Sequence, residues 1–91
     1  MRKIEEQMVE AIADREPLIS GNTEVTEYDG GSQGVYLHGH LIASIVDREA
    51  QPYIPTIRRW PTMTTKSRLR ALGVDVYTRK GTTFVNGEAI D

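Results

Sequence analysis

The chain has 91 residues, 38% of them hydrophobic and 26% charged, with a formal net charge of −2 and no cysteine. That composition suits one domain, residues 1–91, around a single modest core, and it is too apolar for a disordered chain. The lack of cysteine excludes disulfides, thiol catalysis and cysteine-based zinc sites. No apolar run approaches the roughly 20 residues of a membrane helix. The N-terminus, Met1-Arg2-Lys3-Ile4-Glu5-Glu6, turns acidic where a signal peptide turns apolar. The expectation is a cytoplasmic protein with no membrane partner.

The small net charge hides a division. Residues 1–52 carry four cations against ten acids, and residues 53–91 carry seven cations (Arg58, Arg59, Lys66, Arg68, Arg70, Arg79 and Lys80) against three acids. Such asymmetry steers an anionic partner to one face, or it simply sets two halves of opposite charge against each other.

In chain order, the first predicted element is a helix from Arg2 to Asp14. Ile4, Met8 and Ile12 recur at i, i+4, i+8 beside Ala11, with Glu5, Glu6 and Glu10 off that stripe, and Pro17 ends the segment. Thirteen or so residues are marginal as an isolated helix, so the stripe must dock on something. A sheet follows. Thr23–Tyr28 alternates and is rich in β-branched residues, Asp29-Gly30-Gly31-Ser32 is a turn, and Gly34–His38 is a second strand. Gly39-His40 breaks or turns the chain before a third strand, Leu41–Val46. Together these predict a three-stranded antiparallel meander with one face under the helix. Asp47 to Pro55 reads as a connection, its prolines arguing against a central strand, with Tyr53–Arg58 as a possible short edge strand.

The second helix follows Trp60-Pro61. Thr62 or Thr64 caps it, and Gly73 fits the left-handed stop position. At 100° per residue Thr65, Leu69 and Leu72 face the core, Lys66 and Arg70 share a flank, and Arg68 projects away from both. Val74–Thr78 and Thr82–Val85 then form a hairpin across Arg79-Lys80-Gly81, and Asn86-Gly87 marks a last turn before Glu88-Ala89-Ile90. The predicted fold class is α+β: N-terminal helix, meander, short capped helix and C-terminal hairpin. The expected core is Ile4, Met8, Ile12, Val25, Val35, Leu37, Ile42, Ile45, Leu69, Leu72, Val74, Val76 and Phe84.

Two stretches carry a family resemblance. Val35-Tyr36-Leu37-His38-Gly39-His40-Leu41-Ile42-Ala43 resembles a Tyr-Leu-His-Gly-x-x-Ile-Ala pattern, and Thr64–Leu72 resembles Thr-Thr-Lys-Ser-Arg-Leu-x-Ala-Leu. In that order, with Gly21-Asn22-Thr23-Glu24-Val25 upstream, they are similar to a family of small tailed-phage proteins of unknown activity. The resemblance spans residues 2–87 and implies the cytoplasm of an infected bacterium. It transfers no catalytic residue.

Among candidate sites, the basic segment stands first. Arg58, Arg59, Lys66, Arg68, Arg70, Arg79 and Lys80, with Trp60 and Tyr77 among them, can neutralise phosphates and stack bases, and the second helix start favours an anion near Thr64 and Thr65. The plainer account makes Trp60 core, the threonine a cap and the arginines solvated or paired. A winged-helix reading fails, because strands and prolines stand where the preceding helix belongs. His38 and His40 share a strand face at i, i+2, but no third metal ligand accompanies them, and polar-face or turn histidines are the better account. Asp47 and Glu49 lie in a loop-prone region that specifies no acid–base pair, and no catalytic signature is present. Gly30-Gly31 lacks the following helix of a phosphate cradle.

The resulting expectation is a non-enzymatic phage accessory protein, without metal or cofactor, that binds nucleic acid through Arg58, Arg59, Trp60, Lys66, Arg68, Arg70, Arg79 and Lys80. The alternative partner is a host or phage protein engaged through the acidic half or an exposed apolar edge. A homodimer formed along an edge strand near Tyr53–Arg58 or Thr82–Val85 is compatible with either.

Overall fold

In the computed structural model, which describes residues 2–91, the first amphipathic stripe forms helix α1, Lys3–Asp14. The Glu5 carboxylate reaches back to accept the Arg2 N–H at 3.2 Å, half of a capping box. At the other end Arg15 takes the left-handed conformation (φ 55°), and the Glu16 N–H closes on the Ala11 carbonyl at 2.9 Å. A left-handed cap therefore ends the helix before Pro17 is reached. The buried face comprises Glu5, Met8 and Ala11, with Ile4 and Ile12 only half-buried. It is rotated toward Glu5 relative to the Ile4–Met8–Ile12 stripe. Glu5 lies on this face, not off it.

The expected meander is present and longer. Strands β1 (Leu18–Ser20), β2 (Thr23–Glu27), β3 (Gln33–Leu37), β4 (His40–Val46) and β5 (Glu49–Pro52) form one antiparallel sheet in chain order. Registers such as Val25↔Val35 and Val35↔Ala43 put apolar residues on one face, and a bulge at Val35/Tyr36 brings both Ile42 and Ala43 into the core. The added strands lie at the two edges. β1 is too short for alternation to register. β5 carries no β-branched residue and follows a turn, Asp47-Arg48, whose two positive φ angles (51° and 67°) occur without glycine. Pro52 is tolerated because it closes an edge strand.

The segment expected as an edge strand, Tyr53–Arg58, is instead a short helix, α2 (Ile54–Arg59). Pro55 sits in its first turn, where a missing N–H breaks no intrahelical bond. Ile57 of α2 is fully buried and packs into the main cluster. With it goes the first of the two proposed dimer edges.

Helix α3, Met63–Ala71, is capped by Thr62, whose Oγ1 accepts the Thr65 N–H at 3.1 Å, and Gly73 follows with φ 90°. Its buried residues are Thr65, Arg68 and Leu69, while Leu72 is half-buried. A second antiparallel sheet, β6 (Val76–Arg79), β7 (Thr82–Val85) and β8 (Glu88–Ala89), again runs in chain order. Its two turns, Lys80-Gly81 and Asn86-Gly87, have positive φ at both central residues, the hairpin geometry that suits twisted strands. The addition of β8 places Thr82–Val85 in the middle of this sheet, so β7 offers no free edge for a second copy.

α1 packs on β1 and β2, α2 on β4, and α3 on α1, β4 and β6. The core thus runs from Met8 through Val25, Val35, Ile42 and Leu69 to Val76 and Val85. Ala11, Ala43, Ile57, Val85 and Ile90 join the expected core residues, while Ile4, Ile12, Leu72 and Phe84 are only half-buried.

Candidate functional site

The basic residues do not share one role. Arg68, expected to project outward, is 3% exposed. Its Nη1 lies 2.8 Å from Glu5 Oε2, its Nε donates to Thr23 Oγ1 at 3.1 Å, and its Nη2 reaches Asn22 Oδ1 at 3.4 Å. Ser67 Oγ donates to the same Glu5 oxygen at 2.5 Å. One buried cluster therefore joins α1, α3 and the start of β2. It is the only ion pair among the described residues. Burial pushes the Glu5 carboxyl up, but the Ser67 hydroxyl, the Arg2 N–H and the Arg68 guanidinium outweigh it and hold the group below its ordinary value. Arg68 is structural and leaves the candidate surface.

Trp60 also changes role. It is 37% exposed, yet one face stacks on His40 (centroids 4.2 Å apart, planes at 29°) and the Arg59 guanidinium carbon lies 4.9 Å from its ring centroid. With the imidazole stacked on the ring and the guanidinium close to it, less of the ring is free to serve a base as a platform. His38 sits in the turn after β3 with φ 51°, so the shared strand face expected for the two histidines is not formed. Among the described residues no group of three or more His, Asp or Glu side chains is placed to hold a metal ion. The start of α3 is capped from within, with Thr62 and Thr65 hydroxyls 3.0 Å apart, beside a cavity of about 370 Å³ lined by His38, His40, Thr56 and Trp60.

Arg58 clips the chain's end to α2, its Nε donating to the Ile90 carbonyl at 2.6 Å. Lys66 Nζ donates to Thr78 Oγ1 at 3.0 Å, and Arg70 Nε donates to the Val76 carbonyl at 3.0 Å. These two bonds lock the flank of α3 against β6. Arg79 and Lys80 continue from β6 into its exposed turn. Lys66, Arg70, Arg79 and Lys80 make a cationic strip along α3, β6 and its turn that spans both sides of the strand. Lys66 lies on the Thr78 side, and Arg79 alternates to the Tyr77 side. Among the described residues none of the four is paired with a carboxylate. Beside it, on the outer face of the small sheet, Tyr77 and Phe84 stack across β6 and β7 with centroids 5.1 Å apart. Phe84 was expected in the core. It instead pairs with Tyr77 on the outward face, because Val76 and Val85 take the inward positions of the same two strands.

These features define a small α+β protein with antiparallel sheets and a cationic strip held by α3 and β6. Residues 1–91 match the family described as Kyanoviridae Gp96 protein, and the chain belongs to that family of tailed-cyanophage proteins. No curated protein and no solved structure matches the chain. None of its helices is long and apolar enough to cross a membrane, among the described residues.

Proposed function

We propose that the protein is a non-enzymatic phage accessory protein that acts in the cytoplasm of the infected bacterium by binding nucleic acid. The contact surface is narrower than the sequence suggested: Lys66, Arg70, Arg79 and Lys80 for phosphates, with Tyr77 and Phe84 as the neighbouring aromatic surface. The observation that carries this reading is the pair of bonds from Lys66 to Thr78 and from Arg70 to Val76. They hold the two α3 cations against β6, the strand that also carries Arg79 and the stacked Tyr77. Arg58 is engaged with the Ile90 carbonyl and Arg59 with the Trp60 ring, and Arg68 and Trp60 contribute packing.

The test is anisotropy of fluorescent single- and double-stranded oligonucleotides across a salt series. Four neutralised phosphates give a slope of log Kobs against log salt of about −2.8 for single strands and about −3.6 for duplex. Arg79→Glu/Lys80→Glu, at an exposed turn outside the core, abolishes binding on this account. An affinity that is flat with salt, or unchanged in that variant, overturns it.

A second reading, a host or phage protein as partner, has its own support. The helices pack on one face of the large sheet, and the other face bears Ile19, Tyr36 and Leu41, with Ile19 81% exposed on edge strand β1. A nuclease-resistant complex lost in Ile19→Glu supports it. A complex that persists in Ile19→Glu contradicts it.

A further inference from the structure

A cavity of about 390 Å³ opens between the C-terminal ends of α1 and α3 and the large sheet. Polar and apolar surface share its wall about equally, with Val9, Ile12, Ile45, Ala50 and Leu72 supplying apolar side chains. Three polar side chains, Gln33, Arg15 and Arg48, also line it. The volume falls within the range of small-molecule sites, and the wall offers both apolar surface and placed polar groups.

Gln33 is 2% exposed, and its Nε2 donates to the Ile12 carbonyl at 3.2 Å and to Glu27 Oε1 at 2.7 Å. Both partners are acceptors, which fixes the amide's orientation and leaves Oε1 facing no donor among the described residues. Among the described residues Oε1 has no hydrogen-bond partner and is not fully enclosed, and Gln33 is one of the residues that line the cavity. Arg15 Nη1 donates to the Gly31 carbonyl at 2.7 Å and keeps its other donors. Among the described residues neither Arg48 nor Arg15 forms an ion pair. Arg48 also occupies a position, φ 67°, where the turns at Gly39, Gly81 and Gly87 have glycine. Local backbone preference there favours glycine, yet the residue carries a guanidinium at the cavity.

We propose that this cavity binds a small organic acid. The apolar body lies between the two helix ends and the sheet, the carboxylate meets Arg15 and Arg48, and an N–H or O–H group donates to Gln33 Oε1. Guanidinium–carboxylate pairs supply strength and orientation, and the lone acceptor at the wall selects for a donor. This site is separate from the cationic strip and does not depend on nucleic-acid binding.

The test is a titration of the ¹⁵N-labelled protein with indole-3-acetate, benzoate and hexanoate, and with uncharged indole-3-acetamide. The expected result is saturable shifts at Ala13, Gly31, Gln33 and Ala50 with at least one acid, and binding of the amide weaker by about tenfold or more. Arg48→Gly suits the backbone at that position, so it retains the native spectrum while losing about tenfold or more in acid affinity. No saturable shift with any acid, shifts confined to another surface, equal binding of acid and amide, or full affinity in Arg48→Gly overturns the proposal.

Discussion

Removing either partner of the buried pair between Glu5 and Arg68 will destabilise the fold far more than removing both. The two charges are 2.8 Å apart with side chains 3% and 4% exposed. At an effective dielectric of about 20 their attraction is about 6 kcal/mol. Desolvating two ions costs several kcal/mol each, so the pair itself is close to neutral against an apolar replacement. A single substitution is different, because it strands a buried charge. Arg68→Met leaves the Glu5 carboxylate with only Ser67 and the Arg2 N–H, and Glu5→Leu leaves the guanidinium with the neutral acceptors of Thr23 and Asn22. Each is expected to lose about 3–5 kcal/mol, out of about 5–14 kcal/mol for a chain of this size. The double variant Glu5→Leu/Arg68→Met is expected to lose less than either single, a coupling of more than about 3 kcal/mol. Urea unfolding followed by circular dichroism measures this. With m near 1–1.5 kcal/mol/M, a single substitution lowers the midpoint by about 3 M. Losses under about 1 kcal/mol, or strictly additive losses, would refute the argument.

The same carboxylate sets an acid limit. Its pKa is held below the ordinary 4.5, so its stabilisation is complete above that value and is lost as pH falls through the folded-state value. Below 4.5, wild-type stability is expected to fall more steeply than that of Glu5→Gln, by up to about 1.4 kcal/mol per pH unit, in urea midpoints against pH; parallel curves refute this. At Gly34 an added Cβ would come within 2.9 Å of the Tyr28 ring, which lies over that glycine with its hydroxyl bonded to that of Tyr36. Gly34→Ala is therefore expected to cost about 1–3 kcal/mol, read as a lowered urea midpoint. The Tyr36 hydrogen bond, burial and nearby negative charge raise Tyr28 to about 12, so its contribution is present below the ordinary 10 and lost as pH rises through about 12. In the Gly34→Ala variant the tyrosinate absorbance of Tyr28 should move toward the ordinary range, and an unchanged titration curve would contradict this packing.

What the sequence made legible is what local rules determine. β2 alternates, β3 and β4 are rich in apolar and β-branched residues, the turns between them carry glycine, and Thr62 and Gly73 bracket α3 as capping chemistry requires. β1 and β5 escaped because pairing with a neighbouring strand, rather than their own composition, makes them strands. α2 escaped because Pro55 was weighed as a strand breaker, whereas in a first helical turn it is harmless. The Glu5–Arg68 pair is a tertiary fact. Each residue alone reads as solvent-facing, and only the packing of α1 on α3 rotates both helices to enclose them. A charged residue next to the apolar stripe on each helix was the available signal. The candidate surface was legible as charge, but not its division: the sequence could not separate Lys66, Arg70, Arg79 and Lys80 from Arg68, which is buried, or from Trp60, which is already stacked.

The most direct test of the central claim is to map oligonucleotide contacts on the ¹⁵N-labelled protein at low salt. The account predicts shifts concentrated at Lys66, Arg70, Tyr77, Thr78, Arg79 and Lys80 that shrink as salt is added. Shifts centred on Ile19 and the uncovered face of the large sheet, or no shifts at all, would contradict it.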